Sequence, residues 1–210
     1  MIRPPGSPGA AFSLAVEGDQ RDDPEARHRF STALSIESGW AEVGQVHGAV
    51  VLEVSAGGKA GEADAMFTRR AGLPLAVFTA DCLAVVVGGD HGVGVAHAGW
   101  RGMQAGVVGR LLEEMSTAGL APQRAWLGPA IGPCCFEVGE EVASLFPGAA
   151  STTTWGTTSV DLVAAARLQL AGVEVWSSDH CTRHHDDTFS HRRTGSPSRM
   201  AGLAWWEGEG

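Results

Sequence analysis

The chain has no apolar run approaching the roughly 20 residues a membrane helix requires, so no transmembrane span is expected. It has no basic stripe either. Lys and Arg total 15 against 24 Asp and Glu, a formal net charge of −9, which argues against a nucleic-acid scaffold or a membrane-surface binder. The N-terminal Met1-Ile2-Arg3-Pro4-Pro5-Gly6 places Pro and Gly where a signal peptide needs an apolar stretch, and a cytoplasmic location is the expectation. No internal repeat or linker of domain-boundary length interrupts the 210 residues. At 44% hydrophobic composition they suffice for one domain over 1–210, with residues 1–10 and 203–210 expected as loose termini. Cysteine is scarce: Cys82, Cys134, Cys135 and Cys181. A reducing compartment disfavours disulfides, and a bond between adjacent Cys134 and Cys135 would close a strained ring. The expectation is four thiols, one of them a metal ligand.

Met66–Ala80 and Leu83–Val87 are β-rich and almost continuously apolar, as buried strands are. Gly88–Gly92 carries turn chemistry, and Val93–Ala98 resumes a strand. Residues 53–63, with consecutive glycines and mixed charge, read as a loop. Met103, Val107, Val108, Leu111, Leu112 and Met115 recur at helical spacing and predict one amphipathic helix directly after Arg101-Gly102. Val138, Val142, Leu145 and Phe146 predict a second, stopped by Pro147-Gly148. Asp161 is a suitable N-cap for a third, ended by Gly172, and Val173–Trp176 predicts a further strand. Strands joined by short turns, with helices between them, predict an α+β fold with mixed sheets.

Three residues far apart in the chain read as one metal site: His47 in Gln-Val-His-Gly, Cys82 in Thr-Ala-Asp-Cys, and His97 in Ala-His-Ala-Gly-Trp-Arg-Gly. A thiolate and two imidazoles suit zinc, and three protein ligands leave a position open for water or substrate. None sits in the tight spacing of a local zinc loop, so the fold must assemble them. Cys82 and His97 flank the expected hairpin. A four-residue loop, Gly88–His91, would set them directly opposite each other with Cβ atoms about 4.5–5.5 Å apart; a five-residue loop would put them on opposite faces. Taken singly, each also has a structural alternative: a small core hydrophobe for Cys82, a hydrogen-bonded strand-end residue for each histidine.

Further motifs occur in order: Ala63-Asp64-Ala65 with Thr68, Gly128-Pro129-Ala130-Ile131-Gly132, Glu137-Val138-Gly139, Asp161-Leu162, Arg167 with Gln169-Leu170, Cys181-Thr182, and Phe189-Ser190 with Arg192-Arg193. Together with the three ligand motifs they resemble the YfiH-type, or laccase-domain, family of multicopper polyphenol oxidoreductases, over about Asp22 to Ala201. The resemblance implies a four-layer α/β/β/α sandwich and zinc held by His47, Cys82 and His97. It also implies a purine nucleoside enzyme, carrying out phosphorolysis of adenosine, inosine, guanosine and methylthioadenosine and deamination of adenosine. An older reading of the family is copper-dependent oxidation of phenols. Arg29 is carried over as a substrate or phosphate ligand, although His28 stands where the family has Asn. Ala84, His191 and Ser198-Arg199 also depart from the family pattern, and these departures concern the rim of the pocket rather than the metal.

Phosphorolysis needs a phosphate dianion held beside the anomeric carbon, and arginine supplies a planar, permanently charged clamp. Arg101, at a helix start beside His97, is the leading phosphate ligand; a structural ion pair with an acid such as Asp81 is its alternative. Of Arg192 and Arg193, only one can point inward from an extended segment. Deamination needs a proton shuttle, for which Asp81 or Glu137 would serve; Asp81 could equally orient a ligand imidazole. The segment Asp179–Asp187 is dense in potential ligands and reads either as a second metal site, with copper considered, or as an exposed polar loop. The loop is the expectation, because His184, His185 and the acids lie outside the family motifs. Purine nucleosides and phosphate are the expected partners, and no oligomeric state follows from the residues. Three alternatives stand beside the purine enzyme. A copper phenol oxidase would need a trinuclear cluster with more ligand histidines than the two in these motifs. A cysteine hydrolase would use Cys82 as nucleophile and His97 as base. The third is a structural zinc domain.

Overall fold

The computed structural model describes residues 1–7 and 9–208. From the N-terminus come β1 (Ala10–Phe12), α1 (Pro24–Leu34), β2 (Ala41–Gly44), β3 (Val51–Glu53), β4 (Gly58–Glu62), β5 (Ala65–Thr68) and β6 (Leu75–Thr79). Then follow β7 (Leu83–Gly89), β8 (Gly92–Ala98), α2 (Trp100–Gln104), α3 (Val107–Thr117), β9 (Arg124–Leu127) and α4 (Glu140–Ala143). The chain ends with β10 (Ala150–Thr152), β11 (Thr158–Val160), α5 (Leu162–Gln169), β12 (Glu174–Ser177), α6 (His191–Thr194) and β13 (Met200–Ala204). The fold is α+β, with two mixed sheets. One has the order β1-β13-β6-β2-β4, the other β12-β9-β7-β8-β5-β3, and β10-β11 form a separate hairpin.

Alternation of side chains across the strands divides the apolar residues into three clusters. Leu83, Val85 and Val87 of β7 face one way, packing with Ala96 of β8 against Val107, Leu111 and Met115 of α3 and Ala165 and Ala166 of α5. Ala84 and Val86 face the other way, meeting Val93 and Val95 of β8 and Leu75 and Val77 of β6 between the sheets. Phe78, Ala76 and Leu203, on the far face of the five-stranded sheet, pack against Phe30 and Leu34 of α1 and against Trp40. Each fully buried Val or Leu contributes about 1.5–3 kcal/mol, which fixes strand register tightly.

Several sequence expectations are met and several corrected. Asp161 caps α5 by accepting from the Val163 and Ala164 N–H groups. The single helix expected from Met103 to Met115 is two: α2 starts earlier, at Trp100, and Gly106 at φ 81° breaks the run before α3. The second expected helix shrinks to the four residues of α4. Part of the expected 53–63 loop is β4, an exposed strand paired in parallel with β2. The apolar stretch Met66–Ala80 belongs to two strands in different sheets. Parts of the stretches expected to be loose termini are tied into the fold. Ile2 pairs with Phe12, and Leu203 and Ala204 lie buried in β13 between β1 and β6. Pro8, Glu209 and Gly210, also within the stretches expected to be loose, lie outside the described residues. Among the described residues no helix is long and apolar enough to cross a membrane.

Candidate metal centre and cavity

His47, Cys82 and His97 are brought together by the ends of three strands: His47 follows β2, Cys82 precedes β7, and His97 lies near the end of β8. Their ligand atoms all lie within 4.8 Å of one another. The hairpin reaches this result by a different register from the expected one. Its loop is only Asp90-His91, Gly89 pairs with Gly92, and Ala84, not Cys82, stands opposite His97. Cys82 sits two residues before Ala84, just outside the strand. A shift of two keeps it on the same face as Ala84 and His97, so the ligands still meet, diagonally rather than head-on.

The residue that organises the centre is Asp64. Fully buried at 0% exposure, its carboxylate accepts from the backbone N–H groups of Val46 (3.1 Å), His47 (2.9 Å) and Gly48 (2.6 Å) and lies 2.8 Å from His97 Nδ1. Three successive N–H groups can converge on one anion because His47 adopts φ 60°, a left-handed turn that forms an anion-binding concavity. A non-glycine residue there costs on the order of 1–3 kcal/mol, offset by the charge-assisted bonds to Asp64. Asp64 thus aims the His97 imidazole directly and holds the backbone turn that carries His47, and with Nδ1 of His97 engaged, Nε2 is left for a metal. Gln45 fixes the same turn from the other side, its amide exchanging hydrogen bonds of 2.9 and 2.8 Å with the backbone of Phe78.

Orienting a ligand imidazole, a role the sequence allows for Asp81, falls to Asp64. Its sequence signal was a lone acid between two small apolar residues at a strand start, Ala63-Asp64-Ala65. Asp81, itself at φ 90°, accepts from the Thr182 hydroxyl (2.6 Å) and the Arg192 backbone N–H (2.7 Å). It shapes the approach to Cys82 and lines the cavity.

Burial works against charge at all three linked groups, and hydrogen bonding prevails. Burial pushes the Cys82 thiol up, but His47 and His97 draw it down to about 6. Burial pushes His97 down, while Asp64 and Cys82 raise it to about 9. Burial likewise raises Asp64, and His97 with the Gly48 and Val46 N–H groups more than compensates, leaving it below the usual carboxylate range. The same contacts favour a thiolate at Cys82 beside an imidazolium at His97. The donor set fits a zinc-like ion. His47 Nε2 and Cys82 Sγ are 4.0 Å apart, against about 3.6 Å for the N···S edge of a tetrahedral site. Gly99 packs so closely that a Cβ there would lie 2.9 Å from Cys82 Sγ and 3.0 Å from His47 Cδ2.

The cluster opens onto a cavity of about 640 Å³, within the size range of small-molecule sites. Phe78, Ile131, Phe136 and Leu162 supply apolar wall, and Arg21, Arg101, Arg192 and Arg199 supply positive charge. Arg101 lies with its guanidinium 4.2 Å from the Trp100 ring centre. Arg192 lies over Phe136 and donates to the Glu137 carbonyl. Arg192 is the member of the pair that lines the cavity; Arg193, the more buried of the two, turns away from it to bind the carbonyls of His185 and Thr188, and the pair is divided by the helix α6 rather than by an extended strand. Burial and the charge of Arg21 hold Arg199 below the usual arginine value. Arg29 is placed away from the cavity lining, its side chain 64% exposed and 3.9 Å from Glu25. Glu137 is also outside the lining and accepts from the Trp155 indole N–H.

A family model described as multi-copper polyphenol oxidoreductase laccase matches residues 7–207. The chain is 39% identical over 214 residues to purine nucleoside phosphorylase ORF3 of Streptomyces griseus, covering 91% of this chain and 86% of that protein. It is also 39% identical over 204 residues to purine nucleoside phosphorylase YfiH of Escherichia coli K12, covering 90% and 83%. The crystal structure of YlmD from Geobacillus stearothermophilus superimposes with a TM-score of 0.80 at 32% identity, over 90% of this chain and 82% of that one. With two mixed sheets, the His/Cys cluster and a match over nearly its whole length, the chain belongs to the YfiH-like, multi-copper polyphenol oxidoreductase laccase family.

Proposed function

We propose that the protein is a cytoplasmic, zinc-dependent purine nucleoside enzyme that phosphorolyses adenosine, inosine, guanosine and methylthioadenosine and deaminates adenosine. The observation that carries this reading is one cavity holding both the His47–Cys82–His97 cluster and four arginines. The relatives named purine nucleoside phosphorylase support the same substrate class.

In this reading His47, Cys82 and His97 hold the ion, which when bound supplies Lewis-acid polarisation at its open position. Arg101 and Arg192 hold the phosphate dianion, and Arg21 and Arg199 add to the positive field that draws it in. In phosphorolysis an oxygen of the hydrogen-phosphate dianion bonds to the anomeric carbon, the bond from that carbon to the purine nitrogen breaks, and the proton the phosphate gives up passes to the purine. Asp81 retains free lone pairs beyond its two accepted bonds and is positioned as the proton-handling group beside Cys82. The apolar wall of Phe78, Ile131, Phe136 and Leu162 receives the base and excludes water from it. Arg101→Ala tests the division of labour. It should lower kcat/KM for phosphorolysis by about ten- to a hundredfold, as loss of a charge-assisted contact does, and leave deamination nearly unchanged. Equal losses in both reactions would mean a structural role for Arg101.

One observation favours a second reading. Cys82, His97 and Asp64 form a nucleophile–base–acid line of the kind cysteine hydrolases use. Copper chemistry on phenols, as the family description suggests, is the third. Metal analysis of protein purified without added metal separates them: about one zinc at this cluster for the purine enzyme, copper for the oxidase, an unliganded reactive thiol for the hydrolase.

A further inference from the structure

A second cluster of ligating side chains lies outside the cavity lining. Cys134 and Cys135 sit in the turn following β9, and Cys181 and His184 in the turn following β12. β9 and β12 are parallel neighbours, and the pairing continues past their ends through an Ala130–Cys181 bridge. The topology thus carries both turns to the same edge. The four donor groups all lie within 4.8 Å of one another. Among the separations, Cys134 Sγ lies 3.6 Å from Cys135 Sγ, 3.6 Å from Cys181 Sγ and 3.7 Å from His184 Nδ1, and Cys135 Sγ lies 3.3 Å from His184 Nε2.

Those distances discriminate between the possible chemistries. A disulfide needs sulfurs about 2.05 Å apart. Bond lengths of about 2.3 Å to sulfur and 2.0–2.1 Å to nitrogen give tetrahedral edges of about 3.8 Å for S···S and about 3.6 Å for S···N. The sulfurs stand too far apart for a disulfide and at separations close to the edges of a metal polyhedron. The cluster has four ligands where the first cluster has three, the composition of closed, structural zinc sites. The surroundings are built to suit. The Gly132 N–H points at Cys181 Sγ from 3.2 Å, a contact that stabilises a ligating thiolate. A Cβ on Gly132 would lie 3.2 Å from Cys134 Sγ and 3.4 Å from Cys181 Sγ, so the glycine leaves the sulfurs room. Both His184 and His185 donate their backbone N–H to the Cys181 carbonyl, closing Cys181–His184 into a tight turn.

We propose that Cys134, Cys135, Cys181 and His184 bind a second zinc ion, whose role is structural. The ion clips two loops that also grip the first site. Ile131, from the Cys134 loop, donates its N–H to the Asp81 carbonyl, and Thr182, from the Cys181 loop, donates its hydroxyl to the Asp81 carboxylate. Asp81 immediately precedes Cys82. The sequence of the Asp179–Asp187 segment, Cys181 included, is dense in potential ligands but by itself reads as an exposed polar loop. The cysteines of a distant turn are what change that reading; the acids take no part.

The test uses full-length protein expressed with zinc, and its decisive arm is Cys82→Ala, which leaves the proposed site intact. Wild type should carry about two zinc ions per chain and Cys82→Ala about one. In the Cys82→Ala protein the three remaining thiols should resist alkylation until a chelator is added. Replacing zinc by cobalt should give the thiolate-to-cobalt charge-transfer absorption and visible bands of a tetrahedral thiolate site. Cys82→Ala combined with Cys181→Ser should then lose the remaining ion. Metal-free Cys82→Ala protein would overturn the proposal, as would three thiols that react equally with and without chelator. So would a Cys134–Cys181 disulfide found by mass spectrometry in protein prepared with zinc.

Discussion

Replacing Asp64 by Asn removes one negative charge and one acceptor from a group that takes part in four polar contacts at 0% exposure. The geometry decides what is lost. One carboxylate oxygen faces the His47 N–H and His97 Nδ1; the other faces the Val46 and Gly48 N–H groups. An amide can present its oxygen to only one of these pairs, so its NH₂ must point at two donors on the other side. A buried donor left without an acceptor costs about 1–3 kcal/mol. The two are adjacent and do not add fully, so roughly 3 kcal/mol is expected. For a domain of this size that corresponds to a fall in Tm of roughly 6–12 °C. The metal should suffer too, because loss of the group that orients a ligand imidazole typically costs about ten- to a hundredfold in affinity. Thermal unfolding of metal-free protein followed by circular dichroism reads the first effect, and zinc competition against a chelator reads the second. An Asp64→Asn protein with unchanged Tm and unchanged zinc affinity would refute the reasoning that Asp64 organises the centre.

Three further outcomes follow from the same geometry. Gly99→Ala suits the backbone, at φ −70° and ψ 165°, but drives a methyl into Cys82 and His47; zinc affinity should fall at least tenfold with little change in metal-free Tm, and wild-type affinity would show that the ligands move aside freely. Metal-free protein should alkylate at Cys82 with a rate that rises through about pH 6 and levels off near neutrality, since the native thiolate persists down to about 6 whereas an ordinary thiol, near 9.0, is protonated; a profile still climbing toward pH 9 would mean that His47 and His97 do not hold the anion. Gln45→Ala, by cutting both hydrogen bonds to Phe78, should lower stability by about 1–3 kcal/mol and loosen the His47 turn, readable as faster chelator stripping of zinc.

How much was legible beforehand depended on how local the determining physics was. The Asp161 cap and β12 are set by residues within a few positions; the cap stands where the pattern put it, and β12 lies one residue later than the expected Val173–Trp176. The Met103–Met115 helix had the right apolar stripe, yet its break at Gly106 depends on a left-handed residue that periodicity ignores. β4, expected as loop, is a strand only because β2 lies beside it to accept the pairing. Cys82 and His97 were picked out together, but the hairpin that relates them turns in two residues rather than four. Their meeting survived because both registers have the same parity.

Residue chemistry by itself determined the kind of site this protein can have: soft sulfur and nitrogen donors in distinctive motifs, and arginines for an anion. Those properties belong to side chains wherever they are placed. Which donors share an ion, and which acid serves them, was decided only by the tertiary structure. Asp64 rather than Asp81 holds His97, and Cys134 and Cys135 meet Cys181 and His184 because the parallel pairing of β9 and β12 closes a gap of more than forty residues. Such pairings depend on which strands become neighbours, a choice made by burial of whole apolar faces and unrelated to the spacing of the ligands along the chain.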